Sequence, residues 1–412
     1  MNATEDSPTA RLPVSIDDIY AAAERLKGKV SYTPCPKSIP LSEATGCEVH
    51  CKLEHLQRTG SFKERGARNA LEQLTAERQR QGVIAASAGN HALGLVYHST
   101  LLNIPVTVVM PTVAPLTKVS SCRRMGANVV LHGQNLAEAR EQADRIAEAE
   151  GLTYIHGYDD PDVIAGQGTM GLEILHQVPD LDAVVIPVGG AGLIAGVALA
   201  IKTLRPQTKI IGVQPRRANC LQAALTAGKP VKINVTPTLA DGLAVSMVGP
   251  RAFEIARRYM DHLVITHERF LALAVLRLIE LEKSVIEGAG AAPLAALLEG
   301  LLPELKGKKV VMPLCGGNID TNVLGRIIES GLVADGRLVR FSARISDRPG
   351  GLARFAAIVA EQGASIYEID HDRAYAREDI STVVIHCVVE TRDHTHGEEL
   401  KRRLMEANYL IA

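Results

Sequence analysis

Ala183-Val-Val-Ile-Pro-Val-Gly-Gly-Ala-Gly-Leu-Ile-Ala-Gly196 is the stretch whose reading decides the fold. It opens as a run of branched apolar residues, the pattern of a strand covered on both faces. It turns on Gly189, Gly190, Ala191 and Gly192, then continues as an apolar helix from Leu193. Glycines at such a turn let backbone N–H groups close around an anion at a helix N-terminus, so the segment reads as a phosphate cradle. A tight strand-to-helix turn without a ligand has the same outline. The uncharged run Ala183 to Ile201 is broken by Pro187 and by glycines, which fits strand, turn and helix better than a membrane span. Gly190, Gly192 and Ala195 also match G-x-G-x-x-A, yet a dinucleotide site wants an acidic residue at the end of the next strand, where Gln214 stands.

Outward from this stretch, short β-rich runs alternate with helical ones. Val83–Ala86, Ile104–Met110, Asn128–Leu131, Tyr154–Ile155, Ala183–Val188, Lys209–Val213 and Lys309–Leu314 read as strands. Asn90–Leu102, Pro115–Met125 and Leu136–Glu150 read as helices. This alternation predicts α/β layers with parallel sheets and helices on both faces. The rhythm changes after Gly331–Gly336. Leu338–Ile345, Ser365–Ile369, Ser381–Val389 and a short Tyr409–Ile411 read as strands, with helices over Gly351–Gln362 and Glu398–Asn408. That order is the βαββαβ unit of a ferredoxin-like module. The expected organisation is a polar tail over 1–12, a main domain over 13–330 with a smaller lobe near 53–154, and a terminal module over 337–412.

The chain has 412 residues with 45 basic and 46 acidic side chains, no Trp and few aromatics. Such a balance carries no footprint for nucleic acid or an anionic membrane. Its seven cysteines, at 35, 47, 51, 122, 220, 315 and 387, are odd in number and scattered, which fits a reducing cytoplasm. No metal site is expected. Cys47 and Cys51 lack companion ligands, and the segment holding His394 and His396 reads as a polar loop.

Three further turns stand where strands meet helices. Thr59-Gly-Ser-Phe-Lys-Glu-Arg-Gly66 sets Lys63 beside Ser61 and Phe62, where burial would disfavour its charge and free its amine for attack on a carbonyl. In isolation a solvated surface lysine is the commoner reading. Ser87-Ala-Gly-Asn-His91 and Pro313-Leu-Cys-Gly-Gly-Asn318 occupy the strand ends where α/β sheets bind ligands. One phosphate cradle with one lysine fit to bond a carbonyl suggests pyridoxal 5'-phosphate.

Taken together and in this order, Ser61-Phe-Lys-x-Arg-Gly, Ser87-Ala-Gly-Asn-His-Ala, Gly189-Gly-Ala-Gly-Leu and Cys315-Gly-Gly-Asn resemble the fold-type II pyridoxal-phosphate enzymes. Within them the chain is similar to the threonine dehydratases (threonine ammonia-lyases) that carry one C-terminal ACT regulatory domain. The Asp347-Arg-Pro-Gly-Gly-Leu turn of the terminal module is part of that likeness. The resemblance implies that Lys63 holds the cofactor and serves as base for the substrate α-proton. It implies a cofactor site of Phe62, Lys63, Asn90, Gly189, Gly190, Ala191, Gly192, Leu193 and Cys315. Asn90 would bond the phenolic oxygen, the glycine loop the phosphate, and Cys315 the ring nitrogen. The substrate carboxylate would lie on Ser87, Ala88, Gly89, Asn90 and His91. The implied reaction converts L-threonine to 2-oxobutanoate and ammonia, with L-serine as second substrate, in a homodimer or homotetramer whose ACT domain takes a small metabolite effector.

Two departures from the family pattern stand out. The phosphate loop is usually four glycines, and the third is Ala191 here. A positive φ there would cost about 1–2 kcal/mol. The turn after Asn90 usually reads His-Ala-Gln, and here it ends in Leu93. Related racemases place a serine where this chain has Ala88, and a methyl group cannot carry a proton, so elimination is favoured over racemisation. Serine or 3-hydroxyaspartate chemistry on the same fold, and an inactive amino-acid sensor, are the alternatives. Retention of Lys63 speaks against the sensor. Glu287 could line the cofactor ring or merely start a helix.

Overall fold

The structure is a computed structural model that describes residues 12–372 and 381–409. The chain divides into two compact units, residues 1–321 and 322–412. Residues 1–11 of the expected tail and the expected strand beyond Tyr409 lie outside the described residues.

Among the described residues nine strands build the first unit: β1 (Glu48–Lys52), β2 (Val83–Ala86), β3 (Val106–Met110), β4 (Asn128–Leu131), β5 (Thr153–Tyr154), β6 (Ala183–Pro187), β7 (Lys209–Pro215), β8 (His262–Thr266) and β9 (Lys309–Pro313). They form two sheets, ordered β1-β9-β6-β7-β8 and β4-β3-β2-β5. Every pairing in both sheets is parallel. Parallel neighbours need crossovers, and helices supply them. The Val and Ile runs of β3 and β6 are buried along their whole length, as strands covered on both faces must be. β1 and β8 are additions to the strands read from the sequence.

The main core lies on the helices Pro161–Gln177 and Gly192–Leu204, packed with Ile19, Ile186, Ile210 and Phe253. These two helices touch backbone to backbone: a Cβ at Gly196 would lie 2.3 Å from the carbonyl oxygen of Ile164. The uncharged run from Ala183 is therefore β6, a turn and a buried helix. No helix among the described residues is long and apolar enough to cross a membrane.

The second unit begins at the helix Thr321–Ala334, which contains Gly331. Three antiparallel strands follow, β10 (Leu338–Ser346), β11 (Ser365–Asp372) and β12 (Thr382–Glu390), in the order β10-β12-β11. The helices Gly351–Glu361 and His394–Glu406 alternate with them. Phe341, Ile345, Phe355, Ile385 and Leu400 form the core of this unit.

Candidate active site

In the first unit the strand ends carry the turns singled out in the sequence. β2 runs into Ser87–His91, β6 into the glycine loop, and β9 into Cys315–Asn318. Helix Lys63–Glu72 starts against the last of these. Phe62 N–H donates to the Cys315 carbonyl at 3.0 Å, Gly317 N–H to the Gly60 carbonyl at 3.0 Å, and Ser61 pairs with Gly316 as an isolated bridge.

Lys63 is the centre of the arrangement. Its Nζ donates to the Gly157 carbonyl at 2.6 Å and lies 5.1 Å from the centre of the Phe62 ring. Burial pulls its pKa down to about 8, against an opposing pull from Cys315 and Glu287. A lysine with a carbonyl for a partner and no carboxylate bonded to it is readily made neutral. Cys315 is buried and its Sγ lies 3.4 Å from the Pro313 carbonyl. Burial pushes the thiol pKa far up, so it is a neutral donor.

The segment His156-Gly157-Tyr158-Asp159 links the turns and was not legible as functional, because it acts through backbone. His156 Nδ1 accepts from the N–H groups of Tyr158 and Asp159 at 3.3 and 3.1 Å, which folds the segment tightly and turns Gly157 O toward Lys63. Burial takes the His156 pKa down to about 4, consistent with a ring nitrogen that accepts. Tyr158 covers the glycine loop: a Cβ at Gly190 would lie 2.3 Å from its ring, and one at Gly192 2.3 Å from its carbonyl oxygen. Those positions need glycine for space. Ala191 between them has φ +74°, so the left-handed conformation falls on an alanine. Ala191 and Leu193 are both buried, and the helix they start has no side-chain cap. Its first-turn amides are therefore open to an anion.

Gln214, where a dinucleotide enzyme would carry an acid, is buried. Its amide nitrogen Nε2 donates to the Val188 carbonyl at 3.3 Å, and its Oε1 accepts from Leu221 and Gln222 N–H. It ties the glycine loop to the next helix.

At the β2 turn, Ser87 Oγ accepts from Gly89 N–H at 3.2 Å, and Gly89 precedes helix Asn90–Leu101 with open space around its Cα. Ala88 packs against the core of the smaller sheet. His91 is buried, with Nε2 donating to the Ile155 carbonyl at 2.9 Å and Nδ1 unpartnered. Burial, then the charge of Lys63, lowers its pKa to about 3, so His91 is neutral and its ring braces the turn. Asn90 Nδ2 donates to Glu287 Oε1 at 2.6 Å, while its Oδ1 accepts from Asn318 Nδ2 at 3.0 Å. Glu287 is thus bonded to one of the residues singled out in the sequence. Burial, then the charge of Asp241, raises its pKa to about 7.

The structure sets Lys63 on Gly157 O, Phe62 on the Cys315 carbonyl and Asn90 beside Gly316, with Gly190 and Gly192 packed on Tyr158 next to Gly157. Among the described residues no group of three or more His, Cys, Asp or Glu side chains converges as for a metal.

This geometry agrees with three comparisons. Residues 26–316 match the family described as pyridoxal-phosphate dependent enzyme. The chain is 45% identical over 398 residues to L-threonine ammonia-lyase of Thermotoga maritima, covering 97% of this chain and 99% of that one. Among solved structures it is similar to processed threonine deaminase isoform 2 of Solanum lycopersicum, with TM-score 0.73 and 35% identity over 78% of this chain and 95% of that one. It is similar too to serine racemase of Dictyostelium discoideum, with TM-score 0.70 and 35% identity over 75% of this chain and 99% of that one. A cradle roofed by Tyr158, a lysine held uncharged with ease and a neutral thiol all suit such a cofactor, and the chain belongs to the pyridoxal-phosphate dependent enzymes.

Proposed function

We propose that the chain is an L-threonine ammonia-lyase, releasing 2-oxobutanoate and ammonia from L-threonine and acting more slowly on L-serine. The observations that carry this reading are a half-buried Lys63 whose surroundings lower its pKa to about 8, and a methyl group rather than a hydroxyl at Ala88. One base can take the α-proton, and no hydroxyl stands at position 88 to return it on the other face.

When bound, pyridoxal phosphate supplies the electron sink that stabilises charge at the substrate α-carbon. Lys63 holds it and then moves the α-proton at Nζ. Gly157 O orients that amine between the two tasks. The amides of Gly189, Gly190, Ala191, Gly192 and Leu193 hold the phosphate. Asn90 has a second Nδ2 hydrogen for the phenolic oxygen, its other contacts being fixed by Glu287 and Asn318. Cys315 meets the ring nitrogen as a weak donor that leaves the ring less electron-poor than a carboxylate would. The substrate carboxylate lies on the amides of the Ser87–His91 turn.

The second unit acts in this reading as an ACT-type regulatory module for a small metabolite, in a cytoplasmic homo-oligomer. The β-α-β-β-α order supports the module, and the seven free cysteines support the cytoplasm. The test is keto-acid release from L-threonine, L-serine and 3-hydroxyaspartate, with chiral analysis of recovered serine. Threonine is the expected best substrate. Abundant D-serine without keto acid would replace the reading by a racemase.

A further inference from the structure

Three consecutive peptide groups of the glycine loop have their oxygens taken by partners outside it. Gln214 Nε2 donates to the Val188 carbonyl at 3.3 Å, the Cys220 thiol to the Gly189 carbonyl at 3.5 Å, and Gly249 N–H to the Gly190 carbonyl at 3.1 Å. In a trans peptide the C=O and the next residue's N–H point in opposite directions. Each of these bonds therefore turns one amide away from its holder, first Gly189 N–H, then Gly190 N–H, then Ala191 N–H. Among the described residues none of these three N–H groups has an acceptor. Adjacent open donors of this kind form an anion nest.

Gln214 lies near the end of β7, and Cys220 opens the helix Cys220–Ala227. Gln214 Oε1 accepts from Leu221 and Gln222 N–H at 3.0 and 3.1 Å, which fixes the amide nitrogen toward the loop. That nitrogen also donates to Cys220 Sγ at 3.6 Å. The result is a relay from Gln214 through Cys220 to Gly189 O, and each bond in such a chain polarises the next. Both side chains are fully buried. Burial raises the Cys220 pKa, so the thiol keeps the proton it donates. A carboxylate at position 214 would face the Val188 carbonyl with a second acceptor. The amide that counts against a dinucleotide site thus has a task of its own.

We propose that Gln214 and Cys220 are positioning residues that make the glycine loop select the phosphorylated cofactor over its unphosphorylated form. They act through the peptide groups they hold. Gly189 and Gly190 carry no side chain, so without the clamp these peptides turn over at little cost. A carbonyl oxygen, the negative end of the peptide dipole, would then face the anion. This assignment rests on the reading of the loop as the phosphate site.

The test compares dissociation constants of pyridoxal phosphate and of pyridoxal for the full-length protein loaded with each, from the free cofactor after ultrafiltration. The parent, Cys220→Ala, Cys220→Ser and Gln214→Met are measured side by side. Cys220→Ala and Gln214→Met should weaken pyridoxal phosphate on the order of tenfold and leave pyridoxal within about twofold of the parent. Cys220→Ser keeps a donor and should hold both cofactors within about threefold of the parent. Should Gln214→Met not fold, the two Cys220 variants decide. Unchanged binding of pyridoxal phosphate in Cys220→Ala, or equal weakening of both cofactors, overturns the proposal. So does a Cys220→Ser variant that loses the preference as Cys220→Ala does. A parent that binds the two cofactors equally overturns the phosphate reading of the loop itself, a result distinct from failure of the clamp.

Discussion

Asn90 Nδ2 donates to Glu287 Oε1 at 2.6 Å, and Gly316 leaves room for that contact, since a Cβ there would lie 2.5 Å from the same oxygen. The turn after β2 meets the start of helix Gly288–Leu298 at this hydrogen bond. The carboxyl group is buried, and its pKa near 7 is well above the ordinary carboxylate value.

A raised carboxyl pKa has a definite consequence for stability. The folded state binds the proton that the unfolded chain has already released, so this contribution is full below the unfolded pKa and is lost as pH rises through about 7. Glu287→Gln keeps an acceptor for Asn90 and removes the ionisation. Urea midpoints at about pH 5 and about pH 8 should then differ less in the variant, which should be the more stable at the higher pH by on the order of 2–3 kcal/mol. An equal fall in both proteins contradicts the buried carboxyl.

Ala191 and Gly192 should respond in opposite directions. Ala191 holds φ +74°, so Ala191→Gly relieves a left-handed alanine and should stabilise by about 0.5–1 kcal/mol after the entropy of the added glycine. Gly192→Ala drives a methyl group toward the Tyr158 carbonyl and should cost about 1–3 kcal/mol, with weakened cofactor retention. Thermal denaturation with and without added pyridoxal phosphate checks both.

Arg65 shares a motif with Lys63, but the structure gives it a structural task. Its guanidinium, wholly buried, holds Glu54 at 2.7 and 2.8 Å and Glu173 at 2.6 and 2.9 Å. Arg65→Met strands the buried Glu54 carboxylate and should cost about 3–5 kcal/mol. Adding Glu54→Gln should recover much of that loss. Chemical denaturation of the single and double variants measures it, and additive losses would deny the coupling.

The parallel layers were legible because β3, β6 and β9 are runs of Val and Ile bounded by turns. β1 was not, because Glu48, His50 and Lys52 interrupt its apolar residues, and Lys52 is buried against Glu173 where hydropathy gives no signal. The motifs holding Lys63, Asn90, Gly189–Leu193 and Cys315 stand out by residue type and order, while their roles rest on the family resemblance. The Gly157 carbonyl was not: it is a backbone acceptor placed by His156, and no side chain announces it. The conformation of Ala191 could be posed only as a condition, since φ is set by the approach of Tyr158 from a distant segment. Glu287 was visible in Val285-Ile-Glu-Gly-Ala-Gly, but its partner Asn90 lies 197 positions away.

The central claim is that the Lys63 ε-amine carries the cofactor. Borohydride reduction of the protein as purified with pyridoxal phosphate, followed by peptide mass mapping, tests it directly. The account predicts a reduced phosphopyridoxyl adduct on the peptide containing Lys63, absent from Lys63→Ala together with keto-acid release from threonine. No adduct, or an adduct confined to another lysine, would contradict it.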